Sequence, residues 1–275
     1  MQLNTTPNPL SILGESIDFS KSLIYFIATD ILPNPNNRMR MRLLLASLLA
    51  TALLLQTASS IAGELSNQLT PEQKAAGWQL LFDGTSTNGW RSFKKQSFPA
   101  NAWVIEHGWL HCLGKAPGDI ISTGEYDDFE LEWEWKLEPG GNSGVKYFVL
   151  ESRNSALGHE YQMLDDTANP DGKIADGKHL TASFYDVLKP SLPLPSKPIG
   201  DINQSRISVK AGHVEHWLNG LKVLDYHCGS EAVKEAVAKS KFKNTAGFGN
   251  CVKGHILLQN HESQVWFRNI KIRTH

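Results

Sequence analysis

Cysteine is scarce, with three residues among 275, and none stands in a CxxC pair or in a Cys/His spacing that would hold zinc. Charge of either sign is also lacking in excess. The 27 Lys and Arg face 28 Asp and Glu, for a formal net charge of -1. Such a chain has no overall pull toward a phosphate polymer or an anionic bilayer, and nucleic acid is not an expected partner. No G-x-G-x-x-G follows a strand-like run, so no dinucleotide fingerprint is present. Internal repeats and low-complexity tails are missing as well. What remains, at 41% hydrophobic and 20% charged residues, is the composition of an ordinary globular protein.

The longest apolar stretch, Leu43 to Leu55, falls short of the ~20 residues that cross a bilayer. Its flanks give it another meaning. Met39, Arg40 and Arg42 precede it, and the small residues Ser60 and Ala62 follow it, ahead of Gly63. A basic start, an apolar centre and a small-residue cleavage point form an export signal over residues 39–62. No Cys follows that could take a lipid anchor, so a soluble secreted or periplasmic protein without a membrane anchor is expected. Residues 1–38 sit awkwardly ahead of such a signal. The expected reading is a misassigned or disordered upstream segment, with Met39 or Met41 as the initiator and a long n-region that is really made as the alternative.

Cys112, Cys228 and Cys251 all follow the signal, in a compartment that permits a disulfide. Three cysteines allow one bridge and leave one thiol. Cys228 and Cys251 flank a stretch with a predicted helix and are the expected pair, although spacing alone leaves the connectivity open.

Residues 63–77 read as a linker and a short helix. Thr70, Pro71 and Gln73 have the spacing of a capping box with Pro at the first helical position, and Gly77 ends the turn. This helix is expected to lie as a lid on the domain after it. From Trp78 the pattern changes to short alternating runs. In Phe129 to Leu137 five apolar residues alternate with four charged ones, the period-2 mark of a strand with one buried face. Similar runs recur at 102–113, 143–150, 160–164, 206–210, 214–218, 221–226, 255–259 and 265–272. Asn219-Gly220 between two of them predicts a tight hairpin, because both residues tolerate positive φ. One clear helix is expected after Ser230. Many short strands separated by turns predict an all-β sandwich or barrel. Residues 165–201, rich in Asp, Pro, Gly and Lys, interrupt the pattern and are expected to form a rim over a binding face.

Several segments then stand in a recognisable order. They are Phe82-Asp83-Gly84 with Gly89-Trp90, Gly141-Asn142-Ser143-Gly144-Val145, and Gly158-His159-Glu160-Tyr161-Gln162-Met163-Leu164-Asp165. Glu215-His216-Trp217-Leu218-Asn219-Gly220, Ser240-Lys241-Phe242, and Lys253 to Gln259 running into Val265 to Ile272 follow. In this order the chain resembles the 3-keto-disaccharide hydrolase family across residues 78–273. The resemblance implies one concanavalin-like jelly-roll domain, two antiparallel sheets with one or two short helices, and cleavage of glycosides already oxidised to a ketone at C3. It departs at Gln259-Asn260-His261-Glu262, where the family's run is Q-D-H-G.

A ketone at C3 acidifies the hydrogen on C2, so cleavage can proceed by abstraction of that proton, enolate formation and loss of the C1 substituent. Such a reaction needs a base at C2, a donor or cation at the enolate oxygen and an acid at the leaving oxygen. Glu160 and Gln162 are two apart on a predicted strand and share a face, which makes Glu160 the candidate base. His216 and His261 are the candidate acids. Lys146 is the candidate enolate partner, with Gln162, Asp165, Tyr185 and Gln259 expected to bind substrate. Glu215 and His216 are adjacent and must face opposite sides of a regular strand. No cofactor is expected. Asp165, Asp166, Asp171 and Asp176 with His159 and His179 are a weak candidate for a structural Ca²⁺, since their spacing is not that of a calcium loop. Glu130, Glu132 and Glu134 have the alternation of a conventional glycosidase, but the apolar stripe between them predicts a solvated face. The partners are a sugar or glycoside substrate and, upstream, a separate sugar 3-dehydrogenase. A non-catalytic carbohydrate-binding module is the rival reading.

Overall fold

The computed structural model describes residues 66–275, and the expected export signal at 39–62 and the segment before it lie outside them. Thirteen strands run through the described residues: β1 (Gln79–Leu80), β2 (Trp90–Ser92), β3 (Trp103–Glu106), β4 (Trp109–Leu113), β5 (Ile120–Tyr126), β6 (Phe129–Leu137), β7 (Asn142–Val149), β8 (His159–Leu164), β9 (Asn203–Lys210), β10 (His213–Leu218), β11 (Leu221–His227), β12 (Gly254–Leu258) and β13 (Gln264–Thr274). Two short helices accompany them, α1 (Pro71–Ala75) and α2 (Glu231–Ala238). The strands form two sheets, one of eight in the order β11-β10-β9-β6-β13-β4-β3 with β1 added to β13, the other of five in the order β2-β5-β12-β7-β8. Every pairing is antiparallel, so the expected two-sheet all-β architecture is what the chain adopts.

The alternation in β6 sets the core of the larger sheet. Phe129, Leu131, Trp133, Trp135 and Leu137 are buried and the residues between them are half exposed. Across the sandwich, the Trp133 ring meets Tyr161 of β8 edge-on at 5.0 Å, and Phe129 meets Tyr147 of β7 at 6.2 Å. Facing aromatics at these distances join the inner faces of both sheets into one apolar cluster. On the outer face, Glu130, Glu132 and Glu134 pair with Arg273, Lys271 and Arg268 of the neighbouring β13. The three glutamates are therefore cross-strand ion-pair partners on a solvated surface.

Local chemistry explains the turns. The Thr70 capping box is closed by both of its bonds, but α1 buries no side chain, so it does not serve as the expected lid. Asn219 and Gly220 both take positive φ and connect β10 to β11 as a tight hairpin. The run 102–113 proves to be two strands, because His107 and Gly108 both turn at positive φ and fold β4 back on β3. β2 and β5, absent from the sequence expectation, complete the smaller sheet. Cys228 and Cys251 form the disulfide and close the segment that carries α2, while Cys112 is free and buried.

The long segment after β8 is more than a rim. Ala182 donates to the Gln162 carbonyl at 2.8 Å and Tyr185 to the Glu160 carbonyl at 3.1 Å, so residues 182–185 extend the edge of the smaller sheet. Ala182, Phe184 and Val187 are buried there, which anchors the segment in the core.

Candidate active site

The outer face of the smaller sheet carries a cavity of about 80 Å³ lined by Lys146, Glu160, Gln162, Tyr185, Gln259 and His261 among others. Strand alternation puts these residues there. On β8, Tyr161 points into the sandwich against Trp133, which sends its neighbours Glu160 and Gln162 to the opposite face. Lys146 stands directly across from Glu160 on β7, with Nζ 3.7 Å from Glu160 Oε2. Both are nearly enclosed, at 12% and 7% side-chain exposure. At 3.7 Å the pair is long, and no hydrogen bond from Lys146 occupies the Glu160 oxygens.

Gly144 makes the position of Glu160 possible. A Cβ on Gly144 would lie 2.6 Å from Glu160 Oε1 and 3.1 Å from its Cγ, so the acid lies across a bare stretch of backbone. The Gly144 carbonyl accepts from the Gln259 amide at 2.9 Å, which brings the end of β12 alongside. Gln259 Oε1 is buried and has no hydrogen-bond partner. An orphaned acceptor in the wall of a polar cavity is suited to a ligand hydroxyl.

The opposite wall comes from the long segment. Tyr185 donates its hydroxyl to Asp171 Oδ2 at 3.0 Å, and burial together with that carboxylate pushes its ionisation well above the ordinary tyrosine value. The His179 ring packs against Tyr185 at 4.5 Å and its Nε2 lies 3.2 Å from Asp186 Oδ1. Asp186 also accepts from the Lys241 amide at 2.6 Å, and Lys241 Nζ lies 4.2 Å from the Tyr185 ring centroid. Two cationic side chains, Lys146 and Lys241, thus flank the cavity that holds one carboxylate.

A sequence model of the 3-keto-α-glucoside-1,2-lyase-like domain matches residues 77–273. The chain belongs to this family. A 3-keto-disaccharide hydrolase from Bacteroides thetaiotaomicron is 35% identical over 231 residues, covering 72% of this chain and 79% of the relative. Among solved structures, a protein assigned as a glycosyl hydrolase from Parabacteroides distasonis is 32% identical with a TM-score of 0.70, covering 76% of this chain and 99% of its own. A second such protein from the same organism, 23% identical with a TM-score of 0.59 over 72% of this chain and 99% of its own, shares the fold. The lyase-like domain is a carbohydrate-active, glycoside-cleaving enzyme domain.

Six of the eight site residues named from the sequence of this lyase-like domain meet at the one cavity. Two do not. His216 is fully buried on β10, between Tyr147 Oη at 2.8 Å and the Ala182 carbonyl at 2.9 Å, and burial depresses its ionisation to about 4. It is a neutral core residue, while its neighbour Glu215 turns outward to Lys222 and Trp217. Asp165 is spent on loop geometry, accepting from the amides of Gly140, Thr167 and Ala168 and from the Thr167 hydroxyl.

The acids considered for Ca²⁺ are likewise dispersed. Asp166 accepts from Thr181, Asp171 from Tyr185, Asp176 pairs with Lys178, and His159 lies in the core. Among the described residues no group of three or more His, Cys, Asp or Glu is placed to hold a metal ion. Asn260, where the chain departs from the expected Q-D-H-G run, does not line the cavity and donates its side-chain amide to the Ala116 carbonyl at 2.6 Å. Lys241, Phe242 and Asn142, quoted above only as parts of the recognisable segments and given no site role there, also line the cavity. Their positions depend on the chain after α2 and the turn before β7 returning to β8, which no local pattern announces.

Proposed function

We propose that this enzyme is exported and cleaves 3-keto-glycosides by elimination, with Glu160 as the base. The observation that carries the reading is the nearly buried Glu160 carboxylate, held over Gly144 and facing Lys146 at 3.7 Å in a polar cavity. In the proposed reaction Glu160 takes the proton from C2, and the electron pair forms a C1–C2 double bond as the C1–O bond breaks. Lys146 stabilises the charge that develops on the C3 oxygen. His261, exposed at the mouth, supplies a proton to the departing oxygen. Gln162 and Gln259 bind sugar hydroxyls, and Tyr185 closes the wall. Water adds to the unsaturated product to complete a net hydrolysis, and a separate sugar 3-dehydrogenase supplies the ketone. Export is supported by the leader-like residues 39–62 and by the Cys228–Cys251 disulfide, which an oxidising compartment sustains.

The test is incubation of the protein from Gly63 onward with a 3-keto-glucoside and with its unoxidised parent. Release of aglycone from the keto form alone is expected. Glu160→Gln is expected to lower kcat by about 10³-fold or more while sugar binding persists. Cleavage of the parent at a similar rate, or full activity in the Glu160→Gln variant, would sink the elimination reading.

A further inference from the structure

Between the two sheets lies a line of four polar side chains that the proposed reaction does not use. His159 Nδ1 lies 2.8 Å from Tyr226 Oη, Tyr226 Oη 2.7 Å from Tyr147 Oη, and Tyr147 Oη 2.8 Å from His216 Nε2. His216 Nδ1 ends the line on the Ala182 carbonyl at 2.9 Å. All four side chains are buried, and they stand in turn on β8, β11, β7 and β10, so the line passes from sheet to sheet at every step.

Its last acceptor fixes its direction. A carbonyl oxygen only accepts, so His216 carries its proton on Nδ1, and burial, which depresses its ionisation to about 4, keeps the ring neutral. Nε2 then accepts from Tyr147, Tyr147 from Tyr226, and Tyr226 from His159 Nδ1. That order leaves a bare lone pair on His159 Nε2, and this atom is buried without a hydrogen-bond partner. One arrangement of protons satisfies every link, and it places no charge in the core.

The accepting residue is itself strained. Ala182 has a φ of 64°, a left-handed conformation that a side chain disfavours, and Asp186 at the far end of the wall segment has a φ of 61°. Such residues persist where their surroundings hold them. The Asp186 end is held through its carboxylate, by His179 and the Lys241 amide. Ala182 has no polar side chain, and is held by its amide on the Gln162 carbonyl and by His216. Between the two ends the Tyr185 amide bonds the Glu160 carbonyl, and the Tyr185 side chain lines the cavity.

We propose that His216 is a positioning residue for the site, acting through Ala182 to keep the 182–186 wall, and Tyr185 with it, against the strand of Glu160. The inference rests on the reading of this cavity as the sugar site. The line behind His216 sets its tautomer, and the tautomer supplies the proton that the Ala182 carbonyl accepts. Without that donor the carbonyl becomes an unsatisfied buried acceptor on a strained residue, and the segment gains by moving.

The test compares His216→Asn with His216→Gln. An Asn amide reaches the place of Nδ1 and serves Ala182, whereas a Gln amide reaches the place of Nε2 and serves Tyr147. Both remove the ring, so a role in packing alone predicts equal effects. Exchange of the Ala182 and Tyr185 amides, read by NMR, is expected to be about tenfold faster in the Gln variant, the scale of one buried hydrogen bond. Its KM for a 3-keto-glucoside should rise about fivefold with kcat within about threefold, while the Asn variant stays within about twofold of the wild type in exchange and KM. Melting curves check that each variant is folded. If neither is, Tyr147→Phe, which keeps the ring and removes the hydroxyl that sets the tautomer, should speed the same two amides by about threefold. In the wild-type protein at neutral pH, imidazole nitrogen shifts should show His216 and His159 neutral with the proton on Nδ1. A proton on His216 Nε2, equal effects of Asn and Gln, unchanged exchange in folded Tyr147→Phe, or faster exchange with unchanged KM would each overturn the proposal. If no form of the protein turns over the keto substrate while exchange follows the expected order, the elimination reading fails and the hold on Ala182 stands.

Discussion

At Gly144 a single methyl group decides where the acid can lie. The 2.6 Å that would separate an alanine Cβ at this position from Glu160 Oε1 is too short to be absorbed without moving the carboxylate. Gly144→Ala is therefore expected to lower kcat by about 10²-fold, the effect of an ångström-scale misplacement of a reacting group, with little change in melting temperature. Normal kcat in this variant would show that the carboxylate does not need its seat. Tyr185→Phe removes the hydroxyl bonded to Asp171 but keeps the ring between His179 and Lys241. A rise in KM larger than the fall in kcat is expected, because the wall loses its anchor and the base keeps its place; steady-state kinetics on a keto-glucoside separates the two.

At the scale of elements, α2 matters for the segment it leads into. Val233 and Val237 bury one face of the helix, and the chain then turns through Lys241 and Phe242 into the cavity wall. The Cys228–Cys251 bridge closes this excursion. A bridge over a loop of this size contributes about 3 kcal/mol, so the Cys228→Ser, Cys251→Ser double variant should melt ~6–12 °C lower. If the excursion holds Lys241 in place, KM rises in the same variant below its melting point. An unchanged melting temperature would show that packing of α2 alone holds the segment. Element boundaries were the part least legible in the sequence. The strand at 129–137 announced itself because its alternation is complete, whereas β3 and β4 merged into one expected run, since His107 is an unusual residue to open a positive-φ turn.

For the whole molecule, acid stability follows from two imidazoles sealed between the sheets. Burial holds His159 at about 3 and His216 at about 4. In the unfolded chain a histidine takes up its proton near pH ~6.5. Between those values the unfolded state binds more protons, so stability rises with pH across the window and falls as pH drops from ~6.5 toward 4. Carboxylates such as Glu151, which the Arg91 guanidinium holds down to about 2, add their loss only below the ordinary carboxylate range. The interval from pH ~6.5 to ~5 therefore reports the histidines. The melting temperature should decline across it, and a flat profile from pH 7 to 5 would contradict their burial in neutral form.

By itself the amino-acid sequence determined the all-β class, the inward stripe of β6, the hairpin at Asn219-Gly220 and a common face for Glu160 and Gln162. Each of these depends on residues two apart or adjacent, where backbone geometry leaves few choices. Tertiary structure alone decided which charged face is a site. The glutamates of β6 and the acid of β8 alternate alike along the chain. They differ because Arg and Lys of β13 neutralise the first set in the open, while residues 182–185 and the chain after α2 fold over the second. His216 shows the same limit, since its strand alternates as a half-exposed one and only the opposing sheet makes its position a sealed one. Burial is a property of what arrives from elsewhere in the chain, and long-range contacts leave no mark at a spacing of two.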